Sequence, residues 1–115
     1  MKCSFLCAVF ICILVLSGAI CIPVSANSPP TVVYKSCGST RHMWKNTYLF
    51  IVRYSDPDGN APAYINLVLD NRSYGLTEVD TGDTNYTDGK DYYITLDIKK
   101  GVHVYYFIAS DGNNE

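Results

Sequence analysis

Past residue 26 the chain has one cysteine, two histidines, no cluster of basic residues and no apolar run long enough to span a bilayer. Four of the five cysteines (Cys3, Cys7, Cys12, Cys21) lie in the leading segment, so Cys37 has no partner for an intramolecular disulfide and the fold must rest on packing. Only His42 and His103 could act as bases at neutral pH. Cys37 and His42 are the nearest approach to a nucleophile and its base, but Cys37-Gly38-Ser39-Thr40 reads as a short polar loop and no orienting acid accompanies it. His103 alternates with Tyr105 and Phe107, the position of a hydrogen-bonded core histidine. No catalytic set assembles, and the sequence reads as that of a non-enzyme. Eight of the nine Lys and Arg residues and all eleven acids follow residue 26, which sets the net charge of that part at about −3. A phosphate backbone would find no basic surface there, so nucleic acid is not an expected partner. No stretch after residue 26 repeats its apolar residues at a helical period.

Residues 1–26 have the layout of a signal peptide, with its short helix. Lys2 supplies a positive charge, Phe5 to Leu16 are almost wholly apolar, and Val24-Ser25-Ala26 offers small residues where a signal peptidase cuts. Cleavage after Ala26 leaves residues 27–115 as one small domain, secreted or displayed at the cell surface. Left uncut, the segment from Cys3 to Val24 approaches the length of a membrane anchor, and this is the only membrane association the sequence offers. Ile20 stands before Cys21 where a lipoprotein signal wants a small residue, which argues against lipid attachment.

All ten tyrosines lie beyond residue 26, and they alternate with aliphatic residues in a period of two. Tyr48, Phe50, Val52 and Tyr54 share one face of a strand; Ile65, Leu67 and Leu69 share one face of the next, and Asp70-Asn71-Arg72 turns it into a hairpin partner carrying Tyr74 and Leu76. The polar stretch from Glu78 to Lys90 reads as a long loop crossing between sheets. Tyr92, Ile94, Leu96 and Ile98 make another inward set, and His103, Tyr105, Phe107 and Ala109 the last. The opposite side of that last strand (Val102, Val104, Tyr106, Ile108) is apolar and, with Leu49 and Ile51, is expected either to form a patch covered by another domain or subunit, or to lie under part of the same domain. Turns at Asp56–Asn60, Asp88–Lys90, Lys100-Gly101 and Asp111–Asn113 recur at the spacing of an all-β sandwich.

Taken in order, the series Tyr48-x-Phe50-x-Val52-x-Tyr54-x-Asp56-x-Asp58-Gly59-x-x-Pro62, Ile65-x-Leu67-x-Leu69-Asp70, Asp83-x-Asn85-Tyr86-x-Asp88-Gly89-Lys90-x-Tyr92 and Gly101-x-His103-x-Tyr105-Tyr106-Phe107-x-Ala109-Ser110-Asp111-Gly112 resembles the Ig-like modules of archaeal and bacterial surface proteins. The same turns and alternation occur in polycystic-kidney-disease and fibronectin type III domains. The resemblance implies an Ig-like antiparallel β-sandwich acting as an extracellular spacer or adhesion module, partnered by other surface-protein domains or subunits. It also implies one further strand after the Asp111-Gly112 turn. Two expectations follow: the sequence is part of a longer protein, or a neighbouring molecule donates that strand.

Asp56, Asp58 and Asn60 place three oxygen-bearing side chains at alternate positions around Gly59, and Asp111 can join them from another loop, a candidate Ca²⁺ site. Pro57, and Leu67 where an EF-hand has its glutamate, exclude that template, and the same residues also make an ordinary aspartate-capped turn. No other cofactor is expected. Asp80, Asp83, Asn85 and Asp88 form a second acidic loop that reads as a solvated face. Asn71-Arg72-Ser73 and Asn85-Tyr86-Thr87 fit the N-glycosylation sequon. The residues from Tyr92 to Gly112 also resemble the end of the early-set domains of starch-processing enzymes, which implies an alternative: a carbohydrate-binding module stacking sugar rings on Trp44, Tyr64 or Tyr106.

Overall fold

The computed structural model describes residues 26–41 and 45–115. The expected signal helix, His42 and Trp44 lie outside the described residues. Seven strands follow in order: β1 (Thr31–Arg41), β2 (Lys45–Ser55), β3 (Tyr64–Leu69), β4 (Arg72–Gly75), β5 (Thr77–Glu78), β6 (Lys90–Lys99) and β7 (Tyr105–Ser110). Among the described residues there is no helix, and so none long and apolar enough to cross a membrane. Every pairing is antiparallel; β1-β2-β6-β5 form one sheet and β4-β3-β7 the other. The chain is all-β, with the two layers of a sandwich.

The alternation read from the sequence decides which faces meet. Phe50, Val52 and Tyr54 of β2 are buried, as are Ile65, Leu67 and Leu69 of β3, Tyr92 and Ile98 of β6, and Ala109 of β7. They form two clusters, one around Val52, Tyr54, Ile65, Tyr92 and Ala109 and the other around Phe50, Leu67, Leu69 and Ile98. Leu76 and Phe107 pack against both clusters and join them into one interior. Phe107 meets Phe50 edge-on, with ring centres 6.2 Å apart, and Tyr105 meets Phe50 at 5.3 Å in the same fashion. Each fully buried aliphatic side chain of this set contributes about 1.5–3 kcal/mol relative to exposure.

The β3–β4 hairpin closes as expected. Leu69 pairs with Arg72, leaving a two-residue turn in which Asp70 and Asn71 adopt φ of 48° and 65°. That pair of left-handed residues matches the twist of the strands, and Asp and Asn tolerate it better than other non-glycine residues. Gly89 has φ of +96°, and a Cβ there would come within 2.6 Å of the Arg53 Cδ. The Arg53 side chain lies over this glycine to reach Asp91, its Nε 2.8 Å from the carboxylate, and Lys35 reaches the same carboxylate at 2.7 Å.

Four sequence expectations need correction. Cys37 lies in β1, opposite Phe50 in register, and not in a loop. Pairing along the whole length of β2 overrides the turn-like composition of Gly38-Ser39-Thr40, because strand preference is set by neighbours more than by the residue itself. The stretch from Glu78 to Lys90 does not cross between sheets: the crossing is made at Leu76, between β4 and β5, and the polar loop joins β5 to β6 within one sheet. Leu49 and Ile51 do not share a patch with Tyr106. They project from the outer face of the four-stranded sheet, whereas Tyr106 projects from the outer face of the other, on the far side of the molecule. Val102 and Val104 precede β7, which begins at Tyr105, and stand exposed in the β6–β7 connection.

Replacing Leu67 by alanine is expected to cost about 2–5 kcal/mol, the range for emptying a fully buried aliphatic site. Tyr106→Ser on the outer face should change stability by about 0.5 kcal/mol or less. Urea midpoints of the two variants at unchanged m-value measure the contrast.

Candidate functional site

At one end of the sandwich four segments converge: residues 26–30 leading into β1, the β2–β3 loop, the residues before β6, and those after β7. Main-chain bonds tie them together, from the Asp56 N–H to the Tyr86 carbonyl (2.8 Å) and from the Ala63 N–H to the Ser110 carbonyl (2.7 Å). Asp56 sits at the centre with 0% of its surface exposed. Its Oδ1 accepts the amides of Asp58 (2.8 Å) and Asn60 (3.2 Å), while the Gly59 N–H donates to the Asp56 carbonyl (3.1 Å). This is the aspartate-capped turn read from the sequence, with Gly59 at φ +76° closing it. Its Oδ2 is also buried and has no hydrogen-bond partner among the described residues.

The neighbouring groups form a chain of side chains across the end. Asn60 Nδ2 donates to Asn27 Oδ1 at 2.5 Å, and Asn27 Nδ2 donates to Asp111 Oδ2. Asp111 is 9% exposed, and its Oδ1 accepts the amides of Asn113 (2.7 Å) and Asn114 (2.6 Å). Burial opposes ionisation of Asp111, but these amides and the Asn27 carboxamide outweigh it and hold the carboxyl at about 2. The Tyr54 hydroxyl donates to the Asn60 carbonyl at 3.1 Å. Its pKa is pushed up to about 12, first by burial and then by the negative charges of Asp56 and Asp111, so both carboxylates act on one phenol.

The structure thus gathers Asp56, Asn60 and Asp111 at one end, and Asp58 binds the segment leading into β1, its Oδ2 accepting the Ser28 N–H at 2.5 Å. Among the described residues no three His, Cys, Asp or Glu side chains stand together as a metal-ligating group. The oxygen donors of this end are two carboxylates joined by carboxamides and main-chain carbonyls. Asn27 is the participant the sequence did not single out, because no spacing relates position 27 to position 60 or 111.

Lys90 was also not singled out. It is only 2% exposed, with Nζ donating to Glu78 (3.0 Å) and to the Asp83 carbonyl (2.5 Å). The rings of Tyr86 and Tyr92 lie 5.3 and 5.9 Å from that ammonium. Burial works against the charge, yet the bond to Glu78 prevails and the pKa is raised.

The remaining candidates fall apart spatially. Asp80, Asp83 and Asn85 bond to backbone amides two residues on, at 2.8, 2.9 and 3.1 Å, as a solvated loop does. Asn71 and Asn85 are both exposed. Tyr64 and Tyr106 share the outer face of the three-stranded sheet, Tyr106 at 53% exposure and Tyr64 with its hydroxyl donating to Glu115. Cys37 is a free, exposed thiol. No protein-family model matches the chain, and no curated protein does.

His103 is hydrogen-bonded but is not a core residue. It lies at the opposite end of the sandwich, in the β6–β7 connection, with Nδ1 2.5 Å from Asp70 Oδ2 and Nε2 2.7 Å from the Lys99 carbonyl. Both partners are acceptors, and a neutral imidazole has only one N–H, so the geometry is that of an imidazolium donating twice. Asp70 Oδ1 also accepts the Val104 amide at 3.0 Å, which fastens the β3–β4 turn to the β6–β7 connection. The Asp70 bond first, and then the Lys99 carbonyl, raise the His103 pKa above 6.5, while His103 lowers that of Asp70 below 3.8. A raised histidine pKa stabilises the fold fully below the unfolded value and loses that contribution as pH climbs through the folded value. Thermal stability should therefore fall as the pH rises above about 6.5. In His103→Gln this slope should vanish, as read by melting temperatures across the range.

Proposed function

We propose that this chain is an Ig-like module of a secreted or surface-displayed protein, with a non-catalytic structural or adhesive role. The order of its strands carries the reading. Labelled as in an Ig-type sandwich, β1-β2-β6-β5 corresponds to A-B-E-D and β4-β3-β7 to C′-C-F. The expected signal peptide supplies the route out of the cell. Other surface-protein domains or subunits are the partners, and glycans at Asn71 and Asn85 fit their exposed turn and loop positions. Fractionation of cells producing the full chain tests this. The protein should be found outside the cytosol with Asn27 as its first residue, and a cytosolic chain that keeps Met1 would end the proposal.

Tyr64 and Tyr106 favour a second reading, a carbohydrate-binding module. They lie on one outer face, four register positions apart, which is about 13 Å along the strands. Retention on a panel of insoluble polysaccharides, lost in Tyr106→Ala, is its signature. A chain that passes through every polysaccharide unretarded excludes it.

A further inference from the structure

We infer that the end of the sandwich built by Asn27, Asp56, Asn60 and Asp111 binds a hard divalent cation, Ca²⁺, which fastens the segment leading into β1 to the β2–β3 and post-β7 loops.

The aspartate-capped turn accounts for only half of Asp56. Its Oδ1 is spent on the amides of Asp58 and Asn60, and a turn needs nothing more of it. Its Oδ2 is sealed from solvent on a residue with 0% exposure, and no hydrogen bond or ion pair reaches it among the described residues; the Tyr54 hydroxyl is near the Asp56 carboxylate, but its one proton goes to the Asn60 carbonyl. A carboxylate oxygen in that state carries an unmet desolvation cost, and a cation is the partner that removes it. The second anion, Asp111, belongs to the same connected set. Asn60 takes part through its amide on Asp56, its carbonyl on Tyr54 and its side chain on Asn27, and Asn27 reaches Asp111. Two carboxylates with carboxamide and carbonyl oxygens make a donor set of oxygen only. Such a set suits Ca²⁺, which accepts six to eight oxygens in irregular geometry, better than Mg²⁺, which demands an octahedron and keeps its waters. Asn27 and Asp111 lie 84 residues apart in the chain, so a cation held here ties distant segments and not merely one loop.

Calorimetric melting of the purified chain in CaCl₂ tests the site independently of export. Above the dissociation constant, each tenfold rise in Ca²⁺ should raise the melting temperature by about 5–10 °C, with a smaller rise in MgCl₂. Asp56→Asn and Asp111→Asn should each abolish the response, and Asp80→Asn, in the outer loop, should keep it. Terbium gives a readout that needs no variant: TbCl₃ should emit when tyrosine is excited, through Tyr54 beside the site, and CaCl₂ should quench that emission by displacement. A melting temperature unmoved by 10 mM CaCl₂, a rise matched by NaCl at equal ionic strength, a response surviving in the Asp56 and Asp111 variants, or terbium emission that calcium does not displace would each overturn the inference.

Discussion

The inward face of β2 is the constraint on which the rest of this molecule depends. β2 is hydrogen-bonded on both edges, to β1 and β6, so its Phe50, Val52 and Tyr54 cannot turn away from the second sheet without breaking two ladders. Their burial against β3 and β7 sets the spacing of the layers. It also forces a decision on Tyr54, whose ring is wholly inside and whose hydroxyl must therefore find a partner. The partner is the Asn60 carbonyl in the β2–β3 loop. One residue thereby connects core packing to the polar end of the sandwich, where Asn60 in turn holds Asn27.

That end buries three charged residues, Asp56, Lys90 and Asp111, and two of them are held on opposite terms. Lys90 has a carboxylate, a carbonyl and two aromatic faces around its ammonium, which together compensate the loss of water. Asp56 has two amides on one oxygen and, among the described residues, no hydrogen bond on the other. Replacing a buried pair by apolar groups is often harmless, whereas leaving half of one unpaired is costly. The contrast between two charged groups so close in the fold, one enclosed by partners and one half bare, is what singles out Asp56.

Much of the fold was legible because a strand with one buried face writes its period into the sequence. Tyr48 to Tyr54, Ile65 to Leu69 and Tyr92 to Ile98 set their inward residues at a period of two, although Val68 on the other face is buried as well, and the Asp70-Asn71 turn announces the hairpin. The register of β1 was not legible. Ser36 to Arg41 show no apolar alternation, Ser36 to Ser39 are exposed, and what marks this half as strand is its pairing with β2. β5 is two residues long, too short to carry any period, and with it the true crossing at Leu76 was hidden. Of the polar end, the acids were visible through the Asp-Gly turns, but Asn27 and Lys90 were not. Their roles depend on contacts with residues far away in the chain or on burial that composition does not reveal.

The sheet edges differ in a way that bears on the proposed role. An exposed edge invites pairing with another chain, and proteins blunt it with short strands, lysines or bulges. β4 has four residues and β5 two, and β1 carries a register shift between Tyr34 and Ser36, around Lys35. β7 has none of these devices: Tyr105 to Ser110 contain no charge, no proline and no bulge in their pairing with β3, and the opposite edge has no partner strand among the described residues. Beside that edge, Tyr34 and Tyr105 are about half exposed although both rings pack near Phe107, at 6.4 and 6.1 Å. A strand laid along β7 would pair with its outward-facing amides and carbonyls, which belong to alternate residues of the six because the others bond to β3. Among the described residues, the β7 edge is therefore the one that the proposed joining role would find open to continuing a sheet.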